Sequence, residues 1–466
     1  MNYELVCGLE THIELSTKNK IFCPCTIKFG SEPNVNCCQI CTGMPGTLPI
    51  FNRDVIIFAI KMGLALNCKI NLFSKMERKS YFYPDLPKAY QISQNDLPIC
   101  TGGFVRLDSG KKIRIRQMHI EEDAGKIKND GGICIDYNRS GIPLVEIVSE
   151  PDISSVEEVK DYIEKLQIIS RYLKISNAKM QEGSIRCDVN LSVKLPDEKK
   201  LGTRIEIKNM NSISFIQKAI EYEYKRHVRS IEKNIKLVQE TRRFDENLNI
   251  TESMREKVDV KDYGYFSEPD LPGICIDESE IEKIRKSLPE IHDAKLKRYI
   301  DNKVNEKISK LLIKYLNVSN FFDEATKNYD NYERIANFIV GPIFAFLGTE
   351  SAKEEFKISI SPEELSYIAS LVDENKLSSV NAKNVISKSL KGENLKKLVK
   401  NFITDNDKLD LDKICKEAIS THQEAVNDYL KGKKKALQAI VGKVMSLSKG
   451  RADAEETKNI IIKLIS

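Results

Sequence analysis

Up to about residue 290 the chain alternates apolar and polar positions in short runs punctuated by Gly and Pro, as at 83–87, 131–132 and 268–272. Such alternation predicts strands with one side in a core and the other facing water or a ligand. In 4–15, Leu5, Cys7, Leu9, Ile13 and Leu15 fall on one side, while Glu10, His12 and Glu14 share the other. Likewise Ile185, Cys187, Val189 and Leu191 oppose Arg186, Asp188 and Asn190, and Ile205 and Ile207 oppose Arg204, Glu206 and Lys208. In 144–150, Glu146 and Glu150 lie on one side. A helix is predicted to interrupt the strands from Ser155. Ser155 and Glu158 have the spacing of a capping box, and Val156, Val159, Ile163 and Leu166 follow at helical intervals.

Beyond about residue 290 the pattern changes to Lys/Glu-rich segments with helical apolar spacing and few glycines. Residues 405–412 are polar enough to form a linker. The expected fold is therefore α+β: a mainly antiparallel β domain with inserted helices over 1–290, a helical domain over 291–402, and a small helical tail domain over 403–466. A chain of 466 residues is long enough for more than one core. Internal repeats and low-complexity tracts are absent from it.

Charge sharpens this division. Residues 381–466 hold 18 Lys/Arg against 11 Asp/Glu, a surplus of seven, whereas the whole chain carries only +5. The basic excess belongs to the C-terminal part, with Lys431, Lys433, Lys434 and Lys435 as its densest cluster. Such a cluster reads either as a solvated face or as a contact for nucleic-acid phosphates. No run approaches the roughly 18 apolar residues of a membrane span, and the N-terminus lacks a basic-plus-apolar leader. A soluble, cytoplasmic protein without membrane contact is expected.

For any one strand, a polar side facing water is the ordinary explanation. Glu10, Glu121, Glu122, Asp123 and Glu146, with His12 among them, are too many carboxylates for one small surface without a cation. Oxygen ligands with one imidazole suit Mg²⁺ or Mn²⁺, and Lys79, Arg186 and Lys208 are candidate phosphate contacts. The pattern GxxxxGK[ST] does not occur, so a nucleotide site here is not a P-loop. Cys23 and Cys25 form C-x-C, and Cys38 and Cys41 form C-x-x-C shortly after, which matches a structural tetrahedral Zn²⁺ knuckle. Cys37 competes with Cys38 for that role. Cys7, Cys68, Cys100, Cys134, Cys187, Cys275 and Cys415 sit in apolar contexts and are read as core residues.

Long segments in a fixed order resemble the B subunit of the tRNA-dependent amidotransferases: GLETHIEL (8–15), YFYPDLPKAYQISQ (81–94), HIEEDAGK (119–126), DYNRSGIPLVEIVSEPDI (136–153), EGSIRCDVNLSV (182–193), GTRIEIKNMNS (202–212), QETRRFDE (239–246) and GKVMSLSKGRA (442–452). The resemblance implies a cradle-shaped β domain, a helical domain and a tail that contacts tRNA. It further implies that ATP and Mg²⁺ are used to phosphorylate the side-chain carboxylate of glutamate or aspartate misacylated onto tRNA(Gln) or tRNA(Asn). Ammonia, released from glutamine by an A subunit and passed through a tunnel, then displaces the phosphate, while a C subunit clamps the pair.

By the same resemblance the Mg²⁺ ligands are Glu10, His12, Glu121, Glu122 and Glu146, and Asp188 and Arg186 lie beside the transferred phosphate. Lys79, Glu206 and Lys208 are assigned to the nucleotide, the four knuckle cysteines to zinc, and Lys433, Lys434 and Arg451 to tRNA. Gln181, Gly264 and Ser267 depart from the family's usual glutamate, arginine and proline. A weakened paralogue that only binds tRNA and partners is the alternative, against which Glu10, His12, Glu122 and Glu146 stand. The longer archaeal E-type subunit, with its inserted domain, does not fit this length.

Overall fold

The computed structural model describes residues 3–129, 132–256, 264–403, 411–431, 433–448, 452 and 454–465. They fall into two units, Met1–Ile291 and His292–Ser466. The first unit is built on one sheet of ten strands among the described residues. These are β1 (Glu4–Glu14), β2 (Lys69–Ile70), β3 (Cys100–Thr101), β4 (Phe104–Arg106), β5 (Lys112–Glu122), β6 (Pro143–Ser149), β7 (Ile185–Lys194), β8 (Ile205–Lys208), β9 (Glu240–Asp245) and β10 (Ile250–Glu256).

Their order is β10-β9-β8-β7-β1-β6-β5-β3-β2, with β4 paired to β5. Every pairing is antiparallel except β8–β9, which helix Ile213–Glu232 connects as a crossover. The unit is thus α+β with a sheet mixed by this one pair.

The apolar alternation lands where the sequence places it. Cys7, Leu9, Ile13 and Leu15 are buried with Ile185, Cys187, Val189, Leu191, Ile205 and Ile207 in one core. Helices Arg53–Ala65, Val156–Tyr172 and Ile213–Glu232 complete that core through Val55, Ala59 and Ile60, Val159, Ile163 and Leu166, and Ile216, Ala219 and Ile220. The first of these helices approaches the sheet closely at Gly63. A Cβ there would lie 2.5 Å from Cys100 Sγ and 2.9 Å from Ile70 Cδ1.

Ser155 caps its helix by accepting from the Glu158 amide, as its position suggests. The reciprocal half of the box is displaced: Glu158 accepts from the Ser154 amide at 2.8 Å and from Lys111 Nζ at 2.7 Å. Of the cysteines read as core residues, Cys7, Cys68, Cys100, Cys187 and Cys415 are buried, but Cys134 and Cys275 are exposed. Both exposed thiols stand on short strands, Ile133–Asp136 and Ile274–Cys275, which pair only in two-stranded ribbons.

A three-stranded sheet of Gly264–Ser267, Glu77–Ser80 and Tyr90–Ser93 sets Lys79 opposite Tyr265. The Cβ position of Gly264 is open, and Ser267 Oγ accepts from Lys75 Nζ at 3.2 Å. The second unit is helical throughout its described residues, from His292–Asp301 to Ala454–Ile465. Its buried apolar residues form one cluster between Tyr299 and Val399 and another between Cys415 and Ile461. Residues 405–410 of the predicted linker lie outside the described residues, and its last two begin helix Leu411–Thr421. No described helix is long and apolar enough to cross a membrane.

Candidate active site

β1 lies between β6 and β7, and the registers on its two edges decide which polar groups meet. His12 stands opposite Glu146 and Arg186, Glu10 opposite Asp188, Glu146 opposite His119, and Asn190 opposite Glu206. Directly opposed residues share a face of the sheet. Glu10, His12, His119, Glu146, Arg186, Asp188, Asn190 and Glu206 are therefore gathered on the side away from the core.

His12 Nε2 lies 3.4 Å from Glu121 Oε1 and 3.4 Å from Glu146 Oε2. One donor atom from each of these three residues falls within 4.8 Å of the others. Two carboxylates and an imidazole at that spacing fit a hard divalent cation such as Mg²⁺. His119 joins them, with Nε2 3.0 Å from Glu146 Oε2, and its buried Nδ1 has no hydrogen-bond partner among the described residues. Sequence reading missed this histidine, although alternation within HIEEDAGK puts it on the same face as Glu121.

Burial pushes the Glu121 carboxyl up, and the charge of Glu146 adds to that. Burial acts in the same direction on Glu146, but His119 and His12 outweigh it and hold that carboxyl well below its ordinary range. Burial alone would lower the His12 imidazole, whereas Glu146 and Glu121 raise it to about 9. The cluster thus concentrates negative charge that nearby positive groups must offset.

Two of the expected ligands lie elsewhere. Glu122 follows Glu121 in β5, so its side chain leaves by the opposite face; Lys88 Nζ is 2.5 Å from Oε1, which also accepts the Ile92 amide at 2.9 Å. It lines a separate cavity of about 220 Å³ beside the cysteines and is not part of the His12 cluster. Glu10 is on the correct face but two residues along β1, where its carboxylate accepts from Asn190 Nδ2 at 2.9 Å. Burial and then Glu146 raise its pKa.

Cations surround the cluster. Lys208 Nζ is bound to Asp188 and lies 3.1 Å from Glu206 Oε1. Arg186 Nη2 is 2.6 Å from Asp123 Oδ2. For Lys79, burial would lower the ammonium, but Glu121 and then Tyr265 raise it. His12, Glu121, Lys79, Arg186, Asp188 and Lys208 all line one cavity of about 930 Å³, which Gln181 also borders. That volume holds a nucleotide-sized ligand.

Cys23, Cys25, Cys38 and Cys41 bring their sulfurs within 4.8 Å of one another, while Cys37 stands apart and donates to Asn34 O at 3.1 Å. The Cys38 amide lies 3.1 Å from Cys41 Sγ, and fully buried Lys20 places Nζ 3.5 Å from it. Hydrogen bonding from Cys23, with these neighbours, lowers the Cys41 thiol to about 4. Four sulfurs so close, one of them held as a thiolate, fit a tetrahedral Zn²⁺. The segment between the two cysteine pairs is stitched to a distant stretch of chain: Asn34 Oδ1 accepts the Tyr137 amide at 2.7 Å and Asn138 Oδ1 accepts the Asn36 amide at 2.7 Å.

Of the candidate tRNA contacts, Lys433 pairs with Asp428 at 3.1 Å. Lys434 opens a short 3-10 turn, Lys434–Ala436, with a side chain outside the described set, and Arg451 lies outside the described residues.

Comparison with known proteins follows the same division of the chain. Residues 5–282 match the family described as the GatB/GatE catalytic domain, and 320–465 match the GatB domain family. Among similar proteins named as B subunits of aspartyl/glutamyl-tRNA(Asn/Gln) amidotransferase, that of Caldanaerobacter subterraneus subsp. tengcongensis is 46% identical over 470 residues, covering 99% of each chain. The protein of that name from Caldicellulosiruptor saccharolyticus is 45% identical over 99% of this chain and 98% of its own, and that from Clostridium tetani 42% over the same shares. On both the domain matches and these full-length similarities, the chain belongs to the family of B subunits of the tRNA-dependent amidotransferases.

Proposed function

We propose that this chain performs the ATP-dependent amidation of glutamate misacylated onto tRNA(Gln), aspartate misacylated onto tRNA(Asn), or both, in a complex with an A and a C subunit. The observation that carries this reading is one cavity in which His12 and Glu121, with Glu146 grouped beside them, share the lining with Lys79, Arg186 and Lys208. ATP and a substrate carboxylate are both anions, so their approach requires positive charge. A Mg²⁺ ion held by His12, Glu121 and Glu146 would supply such charge against phosphate oxygens. Lys79, Arg186 and Lys208 bind the remaining phosphate oxygens, while Asp188 and Glu206 keep Lys208 in place. Glu10 adds negative charge behind Lys208.

Held in line, an oxygen of the substrate carboxylate attacks the γ-phosphorus and ADP leaves, forming an acyl phosphate. Ammonia attacks the acyl carbon, inorganic phosphate departs with the C–O electron pair, and the amide remains after loss of a proton. The A subunit generates the ammonia from glutamine, and the C subunit clamps it to this chain. Zinc in the cysteine knuckle is structural. The C-terminal basic surplus, with Lys433, Lys434 and Arg451, contacts tRNA phosphates.

The test is coexpression with A and C subunits and assay on both misacylated tRNAs. Amide forms only with ATP and Mg²⁺, and His12→Ala and Glu146→Gln abolish it. No amide from the wild-type complex, or full activity in both variants, overturns the proposal.

A further inference from the structure

β9 enters the sheet by its parallel pairing with β8, in a register that sets Thr241 opposite Glu206. Alternation then divides β9 between two tasks. Glu240 and Arg242 turn toward helix Ile213–Glu232, where Arg242 Nη1 is 2.6 Å from Glu240 Oε1 and Arg242 Nε is 2.9 Å from Glu223 Oε1. Arg226 binds the other Glu223 oxygen at 2.8 Å, and Thr251 of β10 also donates to Glu223. Glu223 is fully buried and Glu240 nearly so, which makes this ionic cluster a rigid anchor for the strand.

Thr241 sits between those two residues and points the other way. Buried itself, it donates its hydroxyl to Glu206 Oε2 at 2.9 Å. The second oxygen, Oε1, is the one 3.1 Å from Lys208 Nζ. The line Thr241, Glu206, Lys208, Asp188 therefore runs from the anchored strand to the cavity wall.

We propose that Thr241 is a positioning residue for Lys208. The terminal torsion of a glutamate is broad, so each donor that holds one of its oxygens narrows the range over which the carboxylate turns. Thr241 supplies such a donor on Oε2 while Oε1 meets Lys208, so the ammonium is held where an anion meets it. This inference rests on the reading of Lys208 as a contact to ATP phosphates.

The experiment measures KM for ATP and kcat separately in the complex with A and C subunits. Thr241→Val keeps the shape and removes the donor; it raises KM for ATP about tenfold, the worth of one hydrogen bond to a charged group, with kcat within about threefold. Thr241→Ser restores KM to within about twofold, and Lys208→Met raises it at least as far as Thr241→Val. A structural role would instead lower kcat in step with the folded fraction and leave KM alone. Wild-type KM in Thr241→Val beside an impaired Lys208→Met overturns the inference alone. Wild-type ATP dependence in Lys208→Met overturns the underlying reading with it. Should Thr241→Val not fold, Thr241→Cys, of similar volume and with a weak donor, carries the same expectation.

Discussion

Glu121 and Glu122 are consecutive in the chain, yet their carboxylates leave opposite faces of β5: Glu121 lies 3.4 Å from His12, and Glu122 lies 2.5 Å from Lys88. Neighbouring acids thus serve different ends. Glu121→Gln lowers kcat/KM for amidation by about 100-fold or more while its urea midpoint stays near that of the wild type. Glu122→Gln leaves Lys88 with a neutral partner and costs roughly 1–3 kcal/mol of stability. A Glu122→Gln protein that is fully stable but inactive would contradict this assignment.

The purified chain is expected to carry about one zinc, bound by four thiolates. Cys23→Ser or Cys38→Ser loses the metal and lowers Tm, whereas Cys37→Ser retains it. Metal analysis that finds less than about half an equivalent in gently purified protein would falsify the knuckle, as would loss of zinc through Cys37→Ser.

Gly63 meets Cys100 and Ile70 at distances that leave no room for a methyl group. Gly63→Ala therefore destabilises the first unit, by roughly 1–2 kcal/mol once the better helix propensity of alanine is set against the overpacking. Urea unfolding measures this, and an unchanged or raised midpoint would show that the helix shifts without cost.

His227 gives stability a pH dependence. Burial, reinforced by Arg226 and Arg242, pushes its pKa down to about 4. Glu223 lies 3.6 Å away but is already engaged by both arginines and does not reverse this. An unfolded chain titrates near about 6.5, so below that value it takes up a proton that the folded chain refuses. Stability is full above about 6.5 and falls as pH drops toward 4. His227→Gln should flatten this slope in urea titrations at several pH values; an unaltered slope assigns the dependence to other groups.

Much of this arrangement was legible because strand geometry is local and strictly periodic. Alternation alone put Glu10 with His12, Arg186 with Asp188, and Glu206 with Lys208, and the structure keeps those pairs on one face. The same rule, applied within HIEEDAGK, would have removed Glu122 and chosen His119; reading that motif as a block concealed it. Alternation also could not show that Glu10 falls short of the cluster, since that depends on the register of β1 against β6, which sets His12 opposite Glu146 and Glu10 opposite Val148. Lys88, the partner of Glu122, comes from a segment with no periodicity. The cysteines were easier, because their spacing is itself the local constraint.

β1 sits in the middle of the sheet, with neighbours drawn from Pro143–Ser149 and Ile185–Lys194. During synthesis it emerges before both of these neighbours. At ribosomal rates of roughly 5–20 residues per second, the second neighbour arrives about 10–40 s later. Throughout that interval Cys7, Leu9, Ile13 and Leu15 lie on an open strand, a setting that favours aggregation. Glu10 and Glu14 interrupt the run with charge, the same device that keeps exposed strand edges from pairing with other chains.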